Sequence, residues 1–275
     1  MIIAEQVAAA RTLLFVPGDV PERFPKARAS GADVVILDLE DAVAPDCKSA
    51  ARDAVAGWLG AHPDTVVRIN AFGSPWYDDD VALVADRGCA VMPAKVDDPA
   101  QLRDLGARLH GGAALIPLIE TAAAVLAAPQ ICAVPGVVRT AFGHLDLALQ
   151  LGVDPGDRDA LLTARSAVVL AATAAGIAAP VDGVTMALKD AEVIGDDAAH
   201  AARLGFTGKL CVHPAQIAPA AAAFTPTDAD VEWARGVIGS VSGAVGSHAG
   251  ELVDKPVIDR ARHLLARHEQ ATGAS

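Results

Sequence analysis

Eight short apolar runs recur along the chain, separated by longer segments with helical character. None of the runs alternates apolar with polar residues, which is typical of strands buried on both faces of a parallel sheet. Eight repeats of strand and helix predict an α/β fold, a closed (β/α)8 TIM barrel. The predicted strands are 13–16, 34–37, 66–69, 90–92, 115–119, 138–141, 176–179 and 209–212, and the predicted helices include 23–30, 47–59, 100–109, 158–175 and 190–204.

An open doubly wound sheet is the main alternative architecture. Such sheets usually have about five or six strands and often a glycine fingerprint after the first strand. No GxGxxG follows the first apolar run, and no GxxxxGK[ST] occurs in the sequence. The length of 275 residues also suits a single barrel, which typically takes about 250 residues.

Residues 216–275 follow the last predicted strand. Helices are predicted at 215–224, which begins at the end of the barrel domain, and at 231–240 and 257–269. We therefore divide the chain into a barrel domain, residues 1–215, and a C-terminal helical extension, residues 216–275. The extension is a candidate lid or an element exchanged between subunits.

The charge of the chain restricts its partners. It carries 22 basic and 34 acidic residues, a formal net charge of −12, and has no basic run. This composition argues against nucleic acid and anionic membranes as partners. The four cysteines form no CxxC pair, no secretory signal is evident, and the longest uncharged run, 166–181, is shorter than the roughly 20 residues needed to span a bilayer. We expect a cytoplasmic, soluble protein.

Polar residues follow most of the predicted strands, and a TIM barrel brings such residues to one mouth where its active site lies. Several converging carboxylates require protonation, basic partners or a metal ion, and oxygen ligands favour Mg²⁺ or Mn²⁺ over zinc. Glu120 and Asp146 are the best candidate ligands, because each follows an apolar strand. Alternatively, Glu120 caps a helix and Asp146 pairs with an arginine. The residues delivered to the mouth are Asp38, Glu40, Asp41, Arg68, Asn70, Lys95, Glu120, Asp146 and His213.

Arg68 follows a buried valine pair, so its guanidinium is expected to point into the barrel and to grip a substrate carboxylate through two hydrogen bonds. An ion pair with Asp38 or Glu40 is the structural alternative. We expect Asp38 to point inward and Asp41 to cap the following turn. His213 is a ligand, a general base or a histidine satisfied by the backbone. A Schiff base at Lys95 or Lys209 is disfavoured, because nearby carboxylates would keep the amine protonated.

Six segments occur in order along the chain: RTLLFVPG (11–18), VILDLEDAV (35–43), VRIN (67–70), LIET (118–121), GHLD (143–146) and CVHPAQ (211–216). Together they resemble motifs of the HpcH/HpaI aldolase and citrate lyase family, and most closely its citrate lyase beta-subunit-like branch, which includes citramalyl-CoA and malyl-CoA lyases. The resemblance implies a TIM barrel that assembles as a homotrimer or a pair of trimers, with the C-terminal extension at the trimer interface. It also implies Mg²⁺-dependent cleavage or formation of a C–C bond beside an acyl thioester.

Carried over by motif, the resemblance assigns Glu120 and Asp146 to the metal and Arg68 to the carboxylate and oxo group of the substrate. Asp254 resembles an acid/base aspartate that reaches the site of a neighbouring subunit; a surface aspartate before a Lys-Pro turn is the alternative. Two positions depart from the family pattern. Leu145 replaces a glutamate beside Asp146, and Pro93 lies one residue further from Lys95 than the family motif has it.

The resulting prediction is a Mg²⁺-dependent lyase that splits a 3-hydroxyacyl thioester, such as citramalyl-CoA, malyl-CoA or a citryl-thioester, into a 2-oxo acid or related acid and an acyl thioester. A metal-dependent aldolase acting on free hydroxy-oxo acids and a non-catalytic lyase-like subunit are the alternatives. A thioester lyase needs basic residues near the cleft for the acyl carrier. The predicted roles are catalytic for Arg68, Asp254 and Asp38; substrate-binding for Arg68, Glu120, Lys95, Arg23 and Lys26; and metal-ligating for Glu120 and Asp146.

Overall fold

The computed structural model describes residues 3–110, 114–240, 246–248 and 251–272. The chain forms two compact units, Met1–Ala221 and Ala222–Ser275. The boundary predicted at residues 215 and 216, and the lid or interface role of the segment after it, stay predictions.

The first unit contains eight parallel strands in the order β4-β3-β2-β1-β8-β7-β6-β5. Closure between β4 and β5 comes from the segment before β5, where Leu115 bridges to both Val91 and Val137 and the Ile116 N–H donates to the Val91 carbonyl at 2.9 Å. The TIM barrel prediction is confirmed. The strands are β1 Thr12–Pro17, β2 Val34–Asp38, β3 Val66–Ile69, β4 Ala90–Pro93, β5 Leu118–Ile119, β6 Ala141–Phe142, β7 Val181–Asp182 and β8 Gly208–Cys211.

Helices α1 to α10 belong to this unit, and α11 to α13 follow β8. A short antiparallel pair, β9 Gly246–His248 and β10 Glu251–Val253, lies in the second unit. The helices are α1 Ile3–Ala9, α2 Phe24–Arg28, α3 Lys48–Leu59, α4 Tyr77–Val84, α5 Pro99–Arg108, α6 Ala122–Leu126, α7 Ala128–Cys132, α8 His144–Leu151, α9 Arg158–Ala175, α10 Ala191–Leu204, α11 Ile217–Phe224, α12 Asp228–Ser240 and α13 Lys255–Thr272. Within the described residues, no helix is both long and apolar enough to cross a membrane.

The prediction for the seventh strand is wrong. It was placed at 176–179, whereas β7 is Val181–Asp182. Gly176 ends α9 in the left-handed conformation, φ 70°, so the apolar residues after it form the connection to the strand. Because of this error the predicted strand does not include Asp182, although β7 places the Asp182 side chain between the sheet and the helices.

Apolar side chains of alternate strand positions fill the barrel interior, among them Leu13, Ile36, Met92 and Leu210. Near the amino-terminal ends of the strands lies Arg139, which is fully buried. Its guanidinium donates to the carbonyls of Val7 and Ala10 in and after α1, to the Ala179 carbonyl and to the Thr207 hydroxyl. Burial lowers the pKa of Arg139 to about 9. Arg139 therefore links α1 by hydrogen bonds to the amino-terminal end of the barrel.

Asp182 lies outside the barrel interior in a buried charge cluster. Its two oxygens accept from Arg165 of α9 at 2.9 Å and from Lys209 of β8 at 3.0 Å, and Lys209 also contacts Asp197 of α10 at 2.9 Å. Burial opposes ionisation of Asp182, but the two cations outweigh it and lower its pKa to about 2. The amine of Lys209 is therefore engaged by two carboxylates rather than free for a Schiff base.

This cluster gives the first prediction. Asp182→Asn leaves Arg165 and Lys209 buried without their shared carboxylate, so the free energy of unfolding at neutral pH should fall by about 3 to 5 kcal/mol. Because the folded pKa is depressed, this stabilisation is present above the ordinary aspartate pKa and is lost as the pH falls from about 4 toward 2.

Chemical denaturation monitored by circular dichroism measures the effect. The matched control is Asp196→Asn, which removes the exposed partner of Arg158 from the same pair of helices and should cost no more than about 1 kcal/mol. Equal stabilities for the two variants would contradict the structural role of Asp182.

Candidate active site

Three charged residues reach the barrel mouth because they lie two positions after apolar residues that face the interior. Asp38 follows Ile36 on β2, Arg68 follows Val66 on β3, and Glu120 follows Leu118 of β5. Asp38 and Arg68 are also direct neighbours in the register of β2 and β3. Successive side chains of a strand alternate between faces, so these positions place the charged groups above the apolar core.

Asp38 holds the guanidinium of Arg68 through two hydrogen bonds. Arg68 Nε donates to Asp38 Oδ1 at 2.7 Å, and Arg68 Nη2 donates to Asp38 Oδ2 at 2.5 Å. The guanidinium also lies over the ring of Phe15, 4.7 Å from its centroid. Burial opposes the charge, but the hydrogen bonds to Asp38 outweigh it and raise the pKa of Arg68. Arg68 is a fixed cation.

The structural alternative for Arg68, an ion pair with Asp38 or Glu40, is therefore present. Arg68 Nη1 lies 3.2 Å from Glu40 Oε2. The pair with Asp38 occupies only two of the five N–H donors of the guanidinium, so donors remain on both terminal nitrogens. Binding of a substrate carboxylate by Arg68 is compatible with this pair and stays a prediction.

Asp38 also caps the turn after β2. Its carboxylate accepts the Glu40 N–H at 2.8 Å and the Ala42 N–H at 3.1 Å, in addition to the two bonds from Arg68. The expectation that Asp41 performs this capping is wrong, because Asp38, 1% exposed, takes the role itself. With four hydrogen bonds on its two oxygens, Asp38 can influence a reaction by orienting Arg68.

Glu40 lies between two cations. Besides Arg68, its carboxylate accepts from Lys95 Nζ, which also lies 3.4 Å from Asp41 Oδ2. Burial raises the pKa of Glu40 although both cations oppose the shift. Lys95 adopts φ 50°, a conformation uncommon for residues other than glycine. The contact of Glu40 with Arg68 is one of the ion pairs expected from the sequence, whereas its contact with Lys95 was not expected.

Glu120, 2% exposed, follows β5 and points across to the β4 side. Its Oε1 accepts the backbone N–H of Lys95 at 2.7 Å. Burial raises the pKa of Glu120 to about 8. Gly143 makes room for this side chain, because a Cβ at position 143 would lie 2.4 Å from the Cβ of Glu120. Glu120 does not cap α6; the hydroxyl of Thr121 does.

Asp146 lies in the first turn of α8 and is partly buried. It forms no ion pair or hydrogen bond within the described part of the chain, so the alternative of an arginine partner is not observed there. The second oxygen of Glu120 likewise has no hydrogen-bond partner among those residues. Burial first, and the charge of Asp146 in addition, raise the pKa of Glu120. Like charges in one site disfavour ionisation, so the negative charge of Asp146 acts in the same direction as burial.

The donor set at the mouth fits a divalent cation. Fully ionised, Asp38, Glu40, Asp41, Glu120 and Asp146 contribute −5, against +3 from Arg68, Lys95 and the nearby Lys48, which leaves −2. Mg²⁺ is usually bound through one or two carboxylates, with water and substrate completing its shell. Among the described residues no group of three or more carboxylate, histidine or cysteine side chains is placed to hold a metal. Glu120 and Asp146 match the one or two carboxylates through which a protein usually binds Mg²⁺.

The remaining predicted residues lie around this centre or in the second unit. Arg23 and Lys26, after β1, are exposed and form no ion pair within the described residues. Leu145 is 37% exposed beside Asp146. His213 Nδ1 accepts the Ala215 N–H at 3.1 Å in a helix-capping arrangement, which is the satisfied state expected as one alternative. Asp254, in the second unit, precedes α13 and accepts the Val257 N–H at 3.3 Å; its acid/base role stays a prediction.

Comparison with known proteins shows the family of the chain. Residues 11–214 match the family described as HpcH/HpaI aldolase/citrate lyase. A citrate lyase subunit beta-like protein of Deinococcus radiodurans is 37% identical over 95% of this chain and 98% of its own length.

Two solved structures are similar over most of the chain. The CitE protein of Mycobacterium tuberculosis in complex with magnesium, acetoacetate and coenzyme A superposes with a TM-score of 0.84 and 36% identity, covering 95% of this chain and 99% of that one. A citrate lyase beta subunit from M. tuberculosis complexed with oxaloacetate and magnesium gives a TM-score of 0.72 and 38% identity, covering 80% and 100%. The chain belongs to the HpcH/HpaI aldolase/citrate lyase family and is an enzyme of the lyase class.

Proposed function

We propose that this protein is a Mg²⁺-dependent carbon–carbon lyase that cleaves, or in reverse forms, a 3-hydroxyacyl thioester, giving a 2-oxo acid or related acid and an acyl thioester. Citramalyl-CoA, malyl-CoA and citryl-thioesters are the candidate substrates. The observation that carries the proposal is that the second oxygen of Glu120 and the carboxylate of Asp146, which have no hydrogen-bond partner among the described residues, lie at the same mouth as the fixed guanidinium of Arg68. Relatives bound to magnesium with coenzyme A or oxaloacetate support it.

Glu120 and Asp146 are the residues that would hold the metal. When bound, Mg²⁺ acts as a Lewis acid on the oxygens of the 2-oxo acid portion. The Lys95 N–H orients Glu120 toward this task, and Gly143 leaves the space that the side chain needs.

Arg68 would bind the carboxylate of the 2-oxo acid portion through its remaining N–H donors. Asp38 fixes the plane of the guanidinium, so its orientation requires little reorganisation when charge develops on the substrate oxygen. Lys95, held between Glu40 and Asp41, adds a second positive charge for the substrate.

In the cleavage direction a base removes the proton of the 3-hydroxyl group. The C–C bond then breaks, the hydroxyl-bearing carbon becomes the oxo group, and the electron pair passes to the thioester enolate. Asp254, assigned through the family resemblance, would protonate the enolate carbon. In a homotrimer or hexamer this aspartate would come from a neighbouring subunit, delivered by the helical extension.

Arg23 and Lys26 distinguish the thioester lyase from an aldolase acting on free hydroxy-oxo acids. Both cations are exposed just after β1, without an ion-pair partner in the described structure, and suit the phosphates of an acyl carrier. An assay of metal-dependent turnover over citramalyl-, malyl- and citryl-thioesters and the corresponding free acids tests this directly. Turnover of only the free acids would replace the thioester lyase by the aldolase, and a protein that binds no divalent metal would be a non-catalytic subunit.

The second prediction concerns the metal ligands. Glu120→Ala and Asp146→Ala should each abolish Mg²⁺ binding, measured by titration calorimetry, and leave a folded protein, because neither carboxylate supports the apolar core. Glu232→Ala, an exposed carboxylate of α12, is the control and should bind Mg²⁺ normally. Unchanged affinity in both ligand variants would refute the assignment.

The third prediction concerns Arg68. Arg68→Lys keeps the charge but loses the planar fork, so kcat/KM should fall by about 10² to 10³, as when a positioned electrostatic donor is lost. Thermal unfolding of the same sample separates this loss from misfolding. A folded variant with the wild-type rate would mean that Arg68 serves only the ion pair with Asp38.

The fourth prediction tests whether the site is shared between subunits. Inactive Asp254→Ala and Glu120→Ala proteins are dissociated, mixed and reassembled. Some mixed oligomers then combine an intact metal site with an intact aspartate from a neighbour, and part of the activity should return. Verified mixed oligomers without activity, or an active protein that sediments as a monomer, would show that Asp254 does not act across subunits.

A further inference from the structure

Lys48 is a buried cation beside the candidate active site. The proposed reaction assigns it no role. Lys48 begins α3 and is 4% exposed. Its ammonium donates to the Leu39 carbonyl at 2.6 Å, to the Glu40 carbonyl at 2.7 Å and to Asn70 Oδ1 at 2.8 Å. An ammonium has three N–H donors, so all of them are used.

The acceptors of Lys48 locate its action at one short segment of backbone. Two of them are the carbonyls of Leu39 and Glu40, consecutive residues directly after β2. The side chain of Glu40 contacts both Arg68 and Lys95. Asn70 Nδ2 donates to the same Leu39 carbonyl at 2.8 Å. Lys48 and Asn70 together therefore fix the backbone from which Glu40 projects into the mouth.

A second set of hydrogen bonds fixes Asn70. Asp80 of α4 accepts both the backbone N–H and the Nδ2 group of Asn70, at 2.9 and 2.6 Å. Arg52 of α3 lies 3.3 Å from the other oxygen of Asp80. Because its amide nitrogen is committed to Asp80 and to Leu39, Asn70 presents its oxygen to Lys48. Hydrogen bonds to the segment after β2 and to Asn70 thus fix the orientation of the Lys48 ammonium.

The chemistry of these acceptors argues against a purely structural role. All three are neutral, and so is the ring of Trp76, whose centroid lies 5.0 Å from the ammonium. No carboxylate of the described residues is hydrogen-bonded to this buried charge, and burying an ammonium without a counter-charge is costly. An apolar side chain would pack between α3 and the sheet without that cost. Lys48 also interacts electrostatically with four carboxylates to which it is not hydrogen-bonded, those of Asp38, Glu40, Asp41 and Asp80. A positive charge at this position offsets the acidic residues of the mouth while leaving their oxygens free for other partners.

We propose that Lys48 is a positioning residue for the 2-oxo acid subsite: through the Leu39 and Glu40 carbonyls it holds the Glu40 carboxylate between Arg68 and Lys95. The inference rests on the proposed function, since it assumes that Arg68 and Lys95 bind the substrate. It predicts that Lys48 and Glu40 act as one unit.

A double-variant cycle on the full-length protein tests this unit, using Lys48→Met, Glu40→Gln and their combination. Oxaloacetate affinity in the presence of Mg²⁺ is measured by calorimetry, and kcat/KM is measured on the thioester that the wild-type protein turns over. Each single change should weaken both quantities at least about tenfold, and the combined variant should lie within about threefold of the weaker single variant. Losses that multiply, or a Lys48→Met protein with wild-type affinity, overturn the proposal.

Two further variants separate positioning from stability. Lys48→Arg keeps the charge and the donors and should recover part of the oxaloacetate affinity. Val55→Ala weakens a fully buried contact of the same helix α3 without touching the Glu40 backbone, so it should lower the unfolding temperature and retain oxaloacetate affinity. If Val55→Ala lost affinity to the same degree as Lys48→Met, the effect would be one of helix stability and the proposal would fail.

The outcomes also separate this inference from the proposed function. Where Lys48→Met does not fold, Lys48→Gln enters the cycle and the same criteria apply. If the wild-type protein turns over no thioester, the proposed function fails, while the oxaloacetate cycle still decides the role of Lys48 because binding needs no turnover. If the wild-type protein is active and the losses multiply, only the Lys48 inference falls.

Discussion

The paired strands β2 and β3 place a carboxylate and a guanidinium side by side, and much of the mouth is organised around this contact. Asp38 meets Arg68 in register, and its oxygens also accept the N–H groups of the following turn. The ion pair therefore sets both the plane of a cation and the path of the backbone toward Glu40. Displacing Asp38 would disturb the guanidinium and the turn together, so the pair links fold and site.

The balance of charge differs between the barrel mouth and the buried charge cluster around Asp182. Around Asp182, two cations and two carboxylates compensate one another. At the mouth carboxylates exceed cations, and Glu120 has its pKa raised to about 8 by burial. Such an excess is unfavourable in isolation and becomes favourable when a divalent ion joins it. The compensated charges around Asp182 stabilise the fold, whereas the mouth has a net negative charge that a cation can neutralise.

The accuracy of sequence-based prediction followed the strength of local signals. Helix α9 was predicted at its observed limits, Arg158–Ala175, because Asp157 caps one end and Gly176 the other. The two-residue strand β7 has no such signal, and its misplacement concealed the Asp182 cluster. Glu120 and Asp146 are predicted as metal ligands from their positions after apolar strands, and that role stays a prediction. The contacts of Lys48 depend on α3 folding back over β2, which no local pattern specifies.

The close approach of Gly143 to Glu120 has a consequence for substitution at position 143. A side chain at position 143 would occupy the space of the Glu120 Cβ and carboxylate. Every residue except glycine carries a Cβ at position 120, so shortening the acidic side chain would not relieve this contact, and a side chain at 143 requires the backbone at one of the two positions to shift. A residue other than glycine at 143 would therefore move the Glu120 carboxylate away from its observed position without any change at residue 120 itself.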